Sequence, residues 1–548
     1  MSTLTVPVPT KPRVRVTTNG RPSALVPLGG SRAYVGASLQ SQEIASWIPP
    51  GTSGRDEITM ARDLLVRRSR DLVRNNGWAQ TGVNRRTDSV VGTNLWFSSK
   101  PMYAALGQTP EWAATWGADV ELKFRSWCND LNHLNDVEMG LTFGAQMQLA
   151  YRHSIIEDEA IAIVYYLPQR GGKYGTAIRL VDPDLLSNPD GKPQTPTLRD
   201  GIELDKFGAA TAYHFRVAHP NDSVVNPQDV NRWTRVPRFT KSGRANVIHF
   251  YRRQRAGQLR GVPRLAAVLK RFKMLEKYDE TELQAAVLSA VVGLFITSDA
   301  PSGTEDAMAP VVEDDVDYGG GVEGSRDEAR AAFHEKSNIN FMGVRMPMLA
   351  TNEKIQKVQA ENASRNFAAF EAAVLRSIAG SIGITAEQLT GDYSGVNYST
   401  LRGALNEIRR EFAADFHLFT QHFATQIFAA WLEEAIVLGE VTTPAGAPTF
   451  WDAKAAYCAG RWIGPPLGWV DPVKEADAAA TRMAIGISDL ERECADQGMD
   501  YSDVIATRAR ISAEMVAAGL PDPEAQPAPG RAATYPSDPV PTDQKAAA

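Results

Sequence analysis

Cysteine and long apolar runs are both scarce in this chain of 548 residues. Its cysteines, Cys128, Cys458 and Cys494, stand far apart and form no CxxC pair. This spacing argues against a disulfide framework or a zinc site and favours a reducing compartment, so we expect buried, unreactive thiols. No apolar run is long enough to cross a bilayer, and the stretch 285–296 is interpreted as a buried helix. The N-terminus lacks the continuous apolar core of a secretory signal.

An excess of charge of one sign is missing as well. The sequence has 58 basic and 64 acidic residues, a formal net charge of −6, so the chain lacks the basic balance typical of nucleic-acid-binding proteins. Hydrophobic residues make up 43% and charged residues 22%, as in a folded soluble protein. Because the chain is too long for one ordinary hydrophobic core, we expect several domains.

Common catalytic and cofactor motifs do not occur. There is no Gly-x-Ser-x-Gly, and the eight histidines form no His-Glu-x-x-His pair. Gly319, Gly320 and Gly321 are not followed by the Gly-Lys-Ser/Thr ending of a phosphate-binding loop. We therefore predict no catalytic residue, no cofactor and no metal ion, and interpret the chain as a non-enzyme.

Two acidic runs keep open the hypothesis of a metal-dependent nuclease. The carboxylates at 313–317 could bind a divalent cation, but they lack EF-hand spacing, which favours a solvated loop. Glu157, Asp158 and Glu159 come just before a predicted strand. Because consecutive strand residues point to opposite faces, these acids would converge poorly on one metal ion.

Both ends of the chain are predicted to be disordered. Residues 1–40 are rich in Pro, Thr, Gly and Ser and contain no acidic residue, which indicates a basic arm. The arm is interpreted either as a solvated tail or as a tether to an acidic partner or to DNA. Its basic residues are Lys11, Arg13, Arg15, Arg21 and Arg32. Residues 520–548 form a Pro/Ala-rich tail.

Residues 56–92 are predicted to be helical, with an interruption at 75–77. The segment is crowded with arginines: Arg62, Arg67, Arg68, Arg70, Arg74, Arg85 and Arg86. They form either a DNA-binding stripe or a solvated helix face that pairs with Asp63, Asp71 and Asp88 across helical turns. The interleaved acids favour the solvated face.

Aromatic residues at spacings of three and four predict amphipathic helix over 111–150. The stripe consists of Trp112, Trp116, Phe124, Trp127, Leu131, Phe143 and Leu149. Because basic residues are not interleaved with the rings, the stripe is interpreted as core packing and not as a stacking platform for bases.

Residues 155–255 change to short β-rich runs separated by Gly, Pro and Asp clusters. The runs are 161–166, 178–181, 212–217 and 246–251. The fold class predicted for the whole chain is therefore α+β, predominantly helical, with an inserted β-rich region.

The second half of the chain returns to helical patterns. Apolar spacing predicts a long helix over 263–298, a small, mixed, exposed module over 299–350 and a helix over 353–383. Another helix is predicted from about 400 to 438, and further helix over 472–518. The core stripe predicted for the helix 400–438 consists of Leu405, Ile408, Phe412, Phe416, Phe419, Phe423, Ile427, Trp431 and Ile436.

The loop that joins the helices 353–383 and 400–438 is the candidate functional site. Residues 385–399 are mostly small and turn-forming and carry no catalytic set, which indicates a mechanical or binding role. The candidate residues are Thr390, Gly391, Asp392, Tyr393, Ser394, Gly395, Val396, Asn397 and Tyr398. The glycines would let the backbone adjust to a moving partner.

Several short runs stand in a fixed order along the chain. They are 67–79 with its R-S-R-D-x-x-R-N-N pattern, 90–93, 261–265 with G-x-P-R-L, 378–384, 389–394 and 397–399. Over roughly residues 60 to 500, this ordered set resembles the lambda-like family of portal proteins from tailed bacteriophages.

The resemblance implies a ring, typically of twelve subunits, at one vertex of a capsid. Double-stranded DNA would be packaged and ejected through its channel without sequence specificity. The implied partners are the major capsid protein, the terminase large subunit and a head–tail adaptor. The implied location is the virion, with host cytoplasm during assembly and no membrane. Another structural virion head protein, such as a shell-forming protein, is the alternative.

The order of segments in the resembling family also implies a division of this chain. It gives a wing over 41–262, a first stem helix over 263–298, a clip over 299–350, a second stem helix over 351–384, a channel-facing tunnel loop over 385–399, a wing helix and return over 400–470 and a helical crown over 471–519. Residues 155–255 could contribute to the clip end instead.

Overall fold

The computed structural model describes residues 41–93, 95–291, 367–466, 468 and 471–522, with short pieces at 17–18, 21–22, 37, 295–298, 339–341, 344–346 and 353–356. The chain divides into two units, Met1–Glu57 and Ile58–Ala548. In the first, a two-residue antiparallel ladder joins Thr17–Thr18 to Arg21–Pro22. The predicted disorder of the arm and tail falls almost wholly outside the described residues, and the acidic run 313–317 falls entirely outside them.

The described part of the chain contains both helices and strands. The helices are α1 Asp56–Thr59, α2 Arg62–Asn75, α3 Gly77–Val90, α4 Pro110–Cys128, α5 Phe143–Ile156, α6 Pro227–Val230, α7 Leu269–Val291, α8 Phe367–Ile382, α9 Ala386–Thr390, α10 Tyr398–Phe419, α11 Thr425–Val437, α12 Lys454–Tyr457, α13 Pro472–Ala484, α14 Leu490–Asp496 and α15 Tyr501–Ala517. The strands are β1 Thr17–Thr18, β2 Arg21–Pro22, β3 Trp96–Ser99, β4 Ala160–Tyr166, β5 Thr176–Val181, β6 Leu198–Arg199, β7 Ile202–Leu204, β8 Ala210–Arg216, β9 Trp233–Pro237, β10 Val247–Phe250, β11 Phe295–Ser298, β12 Ile339–Phe341, β13 Val344–Met346, β14 Glu353–Gln356 and β15 Gly460–Ile463. The fold is thus a mixture of helix and sheet with helix predominating.

The four strands predicted within 155–255 are confirmed as β4, β5, β8 and β10. They belong to two antiparallel sheets, ordered β10-β4-β5 and β6-β7-β8-β9. In β4, Ala160 and Ala162 face the main hydrophobic core, whereas Ile161 and Ile163 face a second core between the sheets. Burial on both faces explains why this strand is a continuous apolar run without alternation.

The predicted helix over 111–150 is two helices, so that prediction is wrong in its middle. Between α4 and α5, the Asp136 carboxylate accepts hydrogen bonds from the backbone N–H groups of Glu138, Gly140 and Leu141. Such local bonds give the backbone an alternative to the helical ladder. Leu131, assigned to the core stripe, lies in this connection and is 92% exposed.

The aromatic residues of that stripe lie in the main hydrophobic core or pack against it, as the core interpretation predicted. The Phe124 ring lies 5.0 Å from the rings of both Phe428 and Trp431, measured between centroids. The ring of Phe97 in β3 lies tilted against the rings of Phe428, at 4.1 Å, and of Trp462 in β15, at 4.7 Å. This aromatic core holds α4, α11 and the β3–β15 pair together.

A buried carboxylate joins α11 to the β-rich region. Glu434 accepts hydrogen bonds from the backbone N–H groups of Gly175 at 2.6 Å and Thr176 at 2.8 Å. It also accepts one from the Thr176 hydroxyl. A charged acceptor that satisfies several buried donors fixes the helix against β5.

The helices predicted over 263–298 and 353–383 are both shorter than expected. A 3₁₀ turn, Arg264–Ala267, precedes α7, and β11 and β14 are strands that pair antiparallel with each other. Ile296 stands opposite Ile355 in that pair. Aromatic and β-branched residues in runs this short suit a strand as well as a helix, so apolar spacing alone misassigned them.

The long helix predicted from about 400 to 438 is confirmed, running from α10 into α11 through one π-helical turn, Thr420–Ala424. Its predicted core stripe is buried at Phe412, Phe419, Phe423, Ile427 and Trp431. The helical region 472–518 consists of α13, α14 and α15. No helix within the described residues combines the length and apolar content needed to cross a membrane.

The three cysteines are free and buried, as their spacing predicted. Burial raises the pKa of the Cys128 thiol well above its ordinary value and that of Cys458 to about 12. Because the thiolate is the reactive form, these thiols are poor nucleophiles.

Candidate functional site: an exposed loop and the charge cluster at its base

The candidate loop begins where α9 ends. Thr385 and Gln388 form a reciprocal capping box at the start of α9, and Leu389 anchors this short helix in the core. Gly391 then adopts a positive φ of 72° and donates its N–H to the Glu387 carbonyl at 2.7 Å. Glycine suits this left-handed position, which closes the helix and turns the chain outward.

The loop itself spans 391–397 and is held mainly by its own hydrogen bonds. The Asp392 carboxylate accepts from the Ser394 N–H at 2.9 Å, and hydrogen bonds from Ser394 lower the pKa of Asp392. Asn397 then caps α10 by accepting from the Thr400 N–H at 2.9 Å. Apart from Val396, which is half-buried, every loop residue is exposed.

The structure places seven of the nine predicted site residues in this turn, Gly391 through Asn397. Thr390 is the last residue of α9, where its hydroxyl donates to the Ala386 carbonyl at 3.0 Å. Tyr398 is the first residue of α10. The predicted loop 385–399 is therefore too long at both ends, because the caps at Thr385 and Asn397 start helices within it.

A set of charged and polar side chains, here called the loop-base cluster, joins the segments on either side of this loop. Its members are Arg86 of α3, Tyr151 of α5, Arg252, Arg264 and the α10 residues Glu411 and Asp415. The cluster connects α3, α5, the segment after β10 and the turn before α7 to α10.

Two arginines of the cluster contact both flanks of the loop. Arg86 donates to the Gly383 carbonyl at 2.6 Å, to Glu411 at 2.9 Å and to Asp415. Arg264 donates to the Ile382 carbonyl at 3.0 Å, to Glu411 at 2.8 Å and to Asp415 at 3.3 Å. The chain before α9 and the middle of α10 are thus bound to the same two guanidinium groups.

The carboxylates of the cluster are held in their ionised form. Burial alone would raise the pKa of Asp415, but the three arginines outweigh it and keep that pKa below its ordinary value. The pKa of Glu411 is lowered for the same reason, by Arg264 and Arg86 against burial. Burial raises the pKa of Tyr151 to about 12, so its hydroxyl stays protonated and donates to Asp415 at 3.1 Å.

Gly383 is a position where the cluster leaves no room for a side chain. Its φ is +78°, and a Cβ atom there would meet the guanidinium nitrogens of Arg86 and Arg264 and the carboxylate of Glu411 well inside van der Waals contact. Only glycine combines that backbone conformation with such a close approach.

A second buried cluster lies around Glu159. Its carboxylate accepts hydrogen bonds from Arg62 at 2.6 Å and from Arg260 at 2.6 and 2.8 Å. Arg260 also donates to the carbonyls of Leu186 and Pro183 at 3.1 and 2.9 Å. This cluster joins α2 to the β-rich region.

Each of the three consecutive acids that motivated the nuclease hypothesis forms an ion pair with an arginine. Glu157 contacts Arg70 at 2.7 Å, Asp158 contacts Arg252 at 3.3 Å, and Glu159 contacts Arg62 and Arg260. Within the described residues, no group of three or more His, Cys, Asp or Glu side chains is arranged to hold a metal ion. These acids serve as partners of buried cations.

Neither interpretation of the arginine-rich stretch 56–92 accounts for its most buried members. These arginines pair with carboxylates far away in sequence. Arg62 pairs with Glu159, and Arg86 pairs with Glu411 and Asp415. Arg70 pairs with Glu157, Asp182 and Asp184. Arg67, Arg68, Arg74 and Arg85 are exposed, in line with a solvated face. The predicted pairs join arginines only to acids across neighbouring helical turns, whereas Arg62, Arg70 and Arg86 pair over long distances in sequence.

The sequence does contain a signal for the loop-base cluster. Asp415 lies at helical spacing from Phe412 and Phe419, and Arg86 lies at helical spacing from Val83 and Val90. A charged residue on an otherwise apolar helix face is rarely buried without a partner. That pattern indicates a buried ion pair, although it does not identify which residues form it.

Residues 40–415, which include the loop and the cluster, match the family described as "Phage portal protein, lambda family". Because the match spans more than half of the chain, this chain belongs to the lambda family of phage portal proteins. The resemblance noted from the ordered sequence runs is thereby confirmed.

Individual portal proteins are similar in sequence to most of this chain. It is 29% identical over 483 residues to the portal protein of Escherichia phage N15, which covers 88% of this chain and 90% of that protein. It is 29% identical over 495 residues to portal protein B of Escherichia phage lambda, which covers 89% and 90% respectively. A chain of the solved structure "Virion of native gene transfer agent (GTA) particle" superposes with a TM-score of 0.44 at 13% identity, over 84% of this chain and 94% of that chain.

Proposed function

We propose that copies of this chain assemble into a ring of twelve subunits around a channel for double-stranded DNA. The observation that carries this proposal is the exposed loop 391–397 in a member of the portal family, with no lysine or arginine between 391 and 399. A channel must not hold phosphates, because each basic contact adds salt-dependent affinity that slows sliding. Asp392, whose lowered pKa favours the ionised form, would repel the backbone.

The role proposed for the chain is structural, and it includes no catalytic step. The ring would occupy one vertex of the capsid in the virion and would form in the host cytoplasm during assembly. Its partners would be the major capsid protein, the terminase large subunit during packaging and a head–tail adaptor afterwards. DNA would pass in and out without sequence-specific contacts.

The segments of the fold suit such a conduit. We assign α7 and α8 to the stem, and the packing of the Tyr278 ring on Phe367 at 5.4 Å and on Phe370 at 5.1 Å supports their pairing. The clip would lie between them over 299–350, the wing over 41–262, and the crown over 471–519. The loop 391–397 would be the tunnel loop, and α10 and α11 would return to the wing.

Ring closure requires each copy to bury surface against the next. Exposed apolar side chains on α13 and α15 offer such a surface, among them Val473, Ile505, Ile511 and Val516. Apolar side chains that are exposed in the single subunit could be buried in such an interface.

Electron microscopy of the purified protein tests the assembly. Class averages should show rings with a central hole. Monodisperse monomers at high concentration, in every salt condition, would contradict the proposal. Lattices or closed shells would support the alternative, another structural head protein.

Shortening the loop 391–397 tests its role. We expect rings to form normally, because the loop contributes little buried surface, while DNA packaging or retention falls. The measurements are ring formation by microscopy and the amount of nuclease-protected DNA in assembled particles. As a matched control, shortening the exposed turn 205–208 between β7 and β8 should leave both quantities unchanged. Loss of rings on shortening 391–397 would instead show the loop to be a packing element.

A further inference from the structure

We propose that Arg86 and Arg264 are positioning residues for the loop 391–397, which they hold by binding the chain on both of its flanks. This inference rests on the proposed function only in assigning the loop a role beside DNA. The positioning itself is a property of the subunit.

The contacts of both arginines bracket the loop in sequence. On one flank they bind the carbonyls of Ile382 and Gly383, just before α9. On the other they bind the carboxylates of Glu411 and Asp415 in α10. The two ends of the segment that carries the loop are therefore fixed relative to each other through shared donors.

The part of α10 between the loop and the cluster is less buried than the part that follows the cluster. From Ser399 to Glu411 no side chain is fully buried. Leu401, Leu405 and Ile408 are half-buried, Ile408 packs against the main core, and Arg409 donates to the Gly468 carbonyl at 2.6 Å. Burial begins at Phe412. The ion pairs of Glu411 and Asp415 are thus one of the contacts that set the direction in which this half of the helix projects.

The helix acts as a lever arm on the loop. About 14 residues separate the cluster from Asn397, which at about 1.5 Å per residue is about 21 Å, so a tilt of about 10° at the cluster would move the loop by about 4 Å. A small change in the ion pairs would therefore give a displacement comparable to the width of a side chain.

Burial makes the contacts stiff. The Arg86 side chain is wholly buried and that of Asp415 is 11% exposed. Charge-assisted hydrogen bonds are stronger than neutral ones, and screening by solvent is weak at buried sites. The absence of any room for a side chain at Gly383 indicates a close fit of the guanidinium groups against the backbone.

The test measures the loop position directly. Paired cysteines at Ser394→Cys and Leu122→Cys, the latter exposed on α4, can carry spin labels because the native thiols are buried. Double electron–electron resonance on labelled subunits, diluted with unlabelled ones, gives the distribution of distances between the two spin labels. We expect Glu411→Gln, which weakens the bonds to both arginines at a side chain that is 44% exposed, to shift or widen that distribution by about 4 Å.

Two further variants make the result decisive. Glu407→Gln, the same change one turn earlier on an exposed face of α10, should leave the distribution as in wild type. Arg264→Lys keeps the charge but loses the forked donor geometry, so it should repeat the effect of Glu411→Gln. A wild-type distribution in both cluster variants would overturn the proposal, and so would loss of folding in both, since that would show a general structural role.

The outcomes separate this inference from the proposed function. If wild-type particles retain no DNA but the cluster variants displace the loop, the proposed function fails and the positioning role stands. If wild-type particles retain DNA and the cluster variants leave the loop in place, only the positioning role fails.

Discussion

Replacing Glu159 by glutamine is expected to lower the free energy of unfolding by about 3–5 kcal/mol, the range seen when one partner of a buried ion pair is removed. Glutamine keeps the shape of the side chain but removes the buried counter-charge that Arg62 and Arg260, each 4% exposed, share, and leaves Arg62 only the exposed Asp63 at 3.4 Å. Thermal and urea-induced unfolding followed by circular dichroism would measure the loss.

The neighbouring residue gives a matched control with the same chemical change. Burial raises the pKa of Asp158 to about 7, against the opposing influence of Arg252. At Glu159 burial acts in the same direction, but Arg260 and Arg62 outweigh it and hold the pKa well below its ordinary value. Asp158→Asn should therefore cost far less than Glu159→Gln near neutral pH.

The two acids also predict opposite dependences on pH. The pKa of Glu159 is lower in the folded state, so its stabilisation is present above its unfolded pKa of 4.5 and is lost as the pH falls through the folded value. The pKa of Asp158 is higher in the folded state, so its stabilisation is present below its unfolded pKa of 3.8 and is lost as the pH rises towards the folded value of about 7, above which the loss levels off. Asp158→Asn should remove that loss. Equal destabilisation by both substitutions at every pH would contradict this account.

The sequence predicted those parts of the fold in which one periodicity dominates. The stripe from Phe412 to Trp431 has helical spacing over many turns, and no other reading fits it. The β-branched and aromatic residues between turn signals predict the strand over 161–166, which the structure shows as Ala160–Tyr166. In both cases local preference and tertiary burial agree.

The failures occur where a short apolar run depends on a partner far away. Phe295–Ser298 and Glu353–Gln356 are strands because they pair with each other, and nothing within either run reveals the other. The break after α4 has a different cause, since Asp136 satisfies the backbone locally, which the aromatic spacing concealed.

In the candidate site, too, the part set by local sequence could be predicted and the part set by distant residues could not. The loop 391–397 could be located from its glycines and its Asp and Asn, because turn chemistry is local. The loop-base cluster could not be located in this way, because Arg86 lies more than 300 residues from the carboxylates it binds. Reading charged residues on apolar helix faces would have identified Arg86 and Asp415 as buried, but pairing them requires the fold.

Replacing Trp431 by alanine is expected to lower the free energy of unfolding by about 3–5 kcal/mol, the cost of a large cavity in a packed core. The side chain is fully buried, and its ring lies within 5.0 to 5.9 Å of the rings of Phe124, Tyr174 and Phe428. Urea-induced unfolding followed by circular dichroism would measure the change.

A second tryptophan twenty residues later separates burial from residue type. Trp451 is 49% exposed and donates its indole N–H to Glu433 at 3.3 Å, so Trp451→Ala should cost about 1 kcal/mol or less. The indole nitrogen of Trp431 has no hydrogen-bond partner among the described residues, which means that this side chain stabilises the fold by packing. Trp431→Phe should therefore recover most of the stability that Trp431→Ala loses. If Trp431→Phe lowered the free energy of unfolding as much as Trp431→Ala, ring packing would not explain the contribution of Trp431. A polar contact of the indole would then have to explain it.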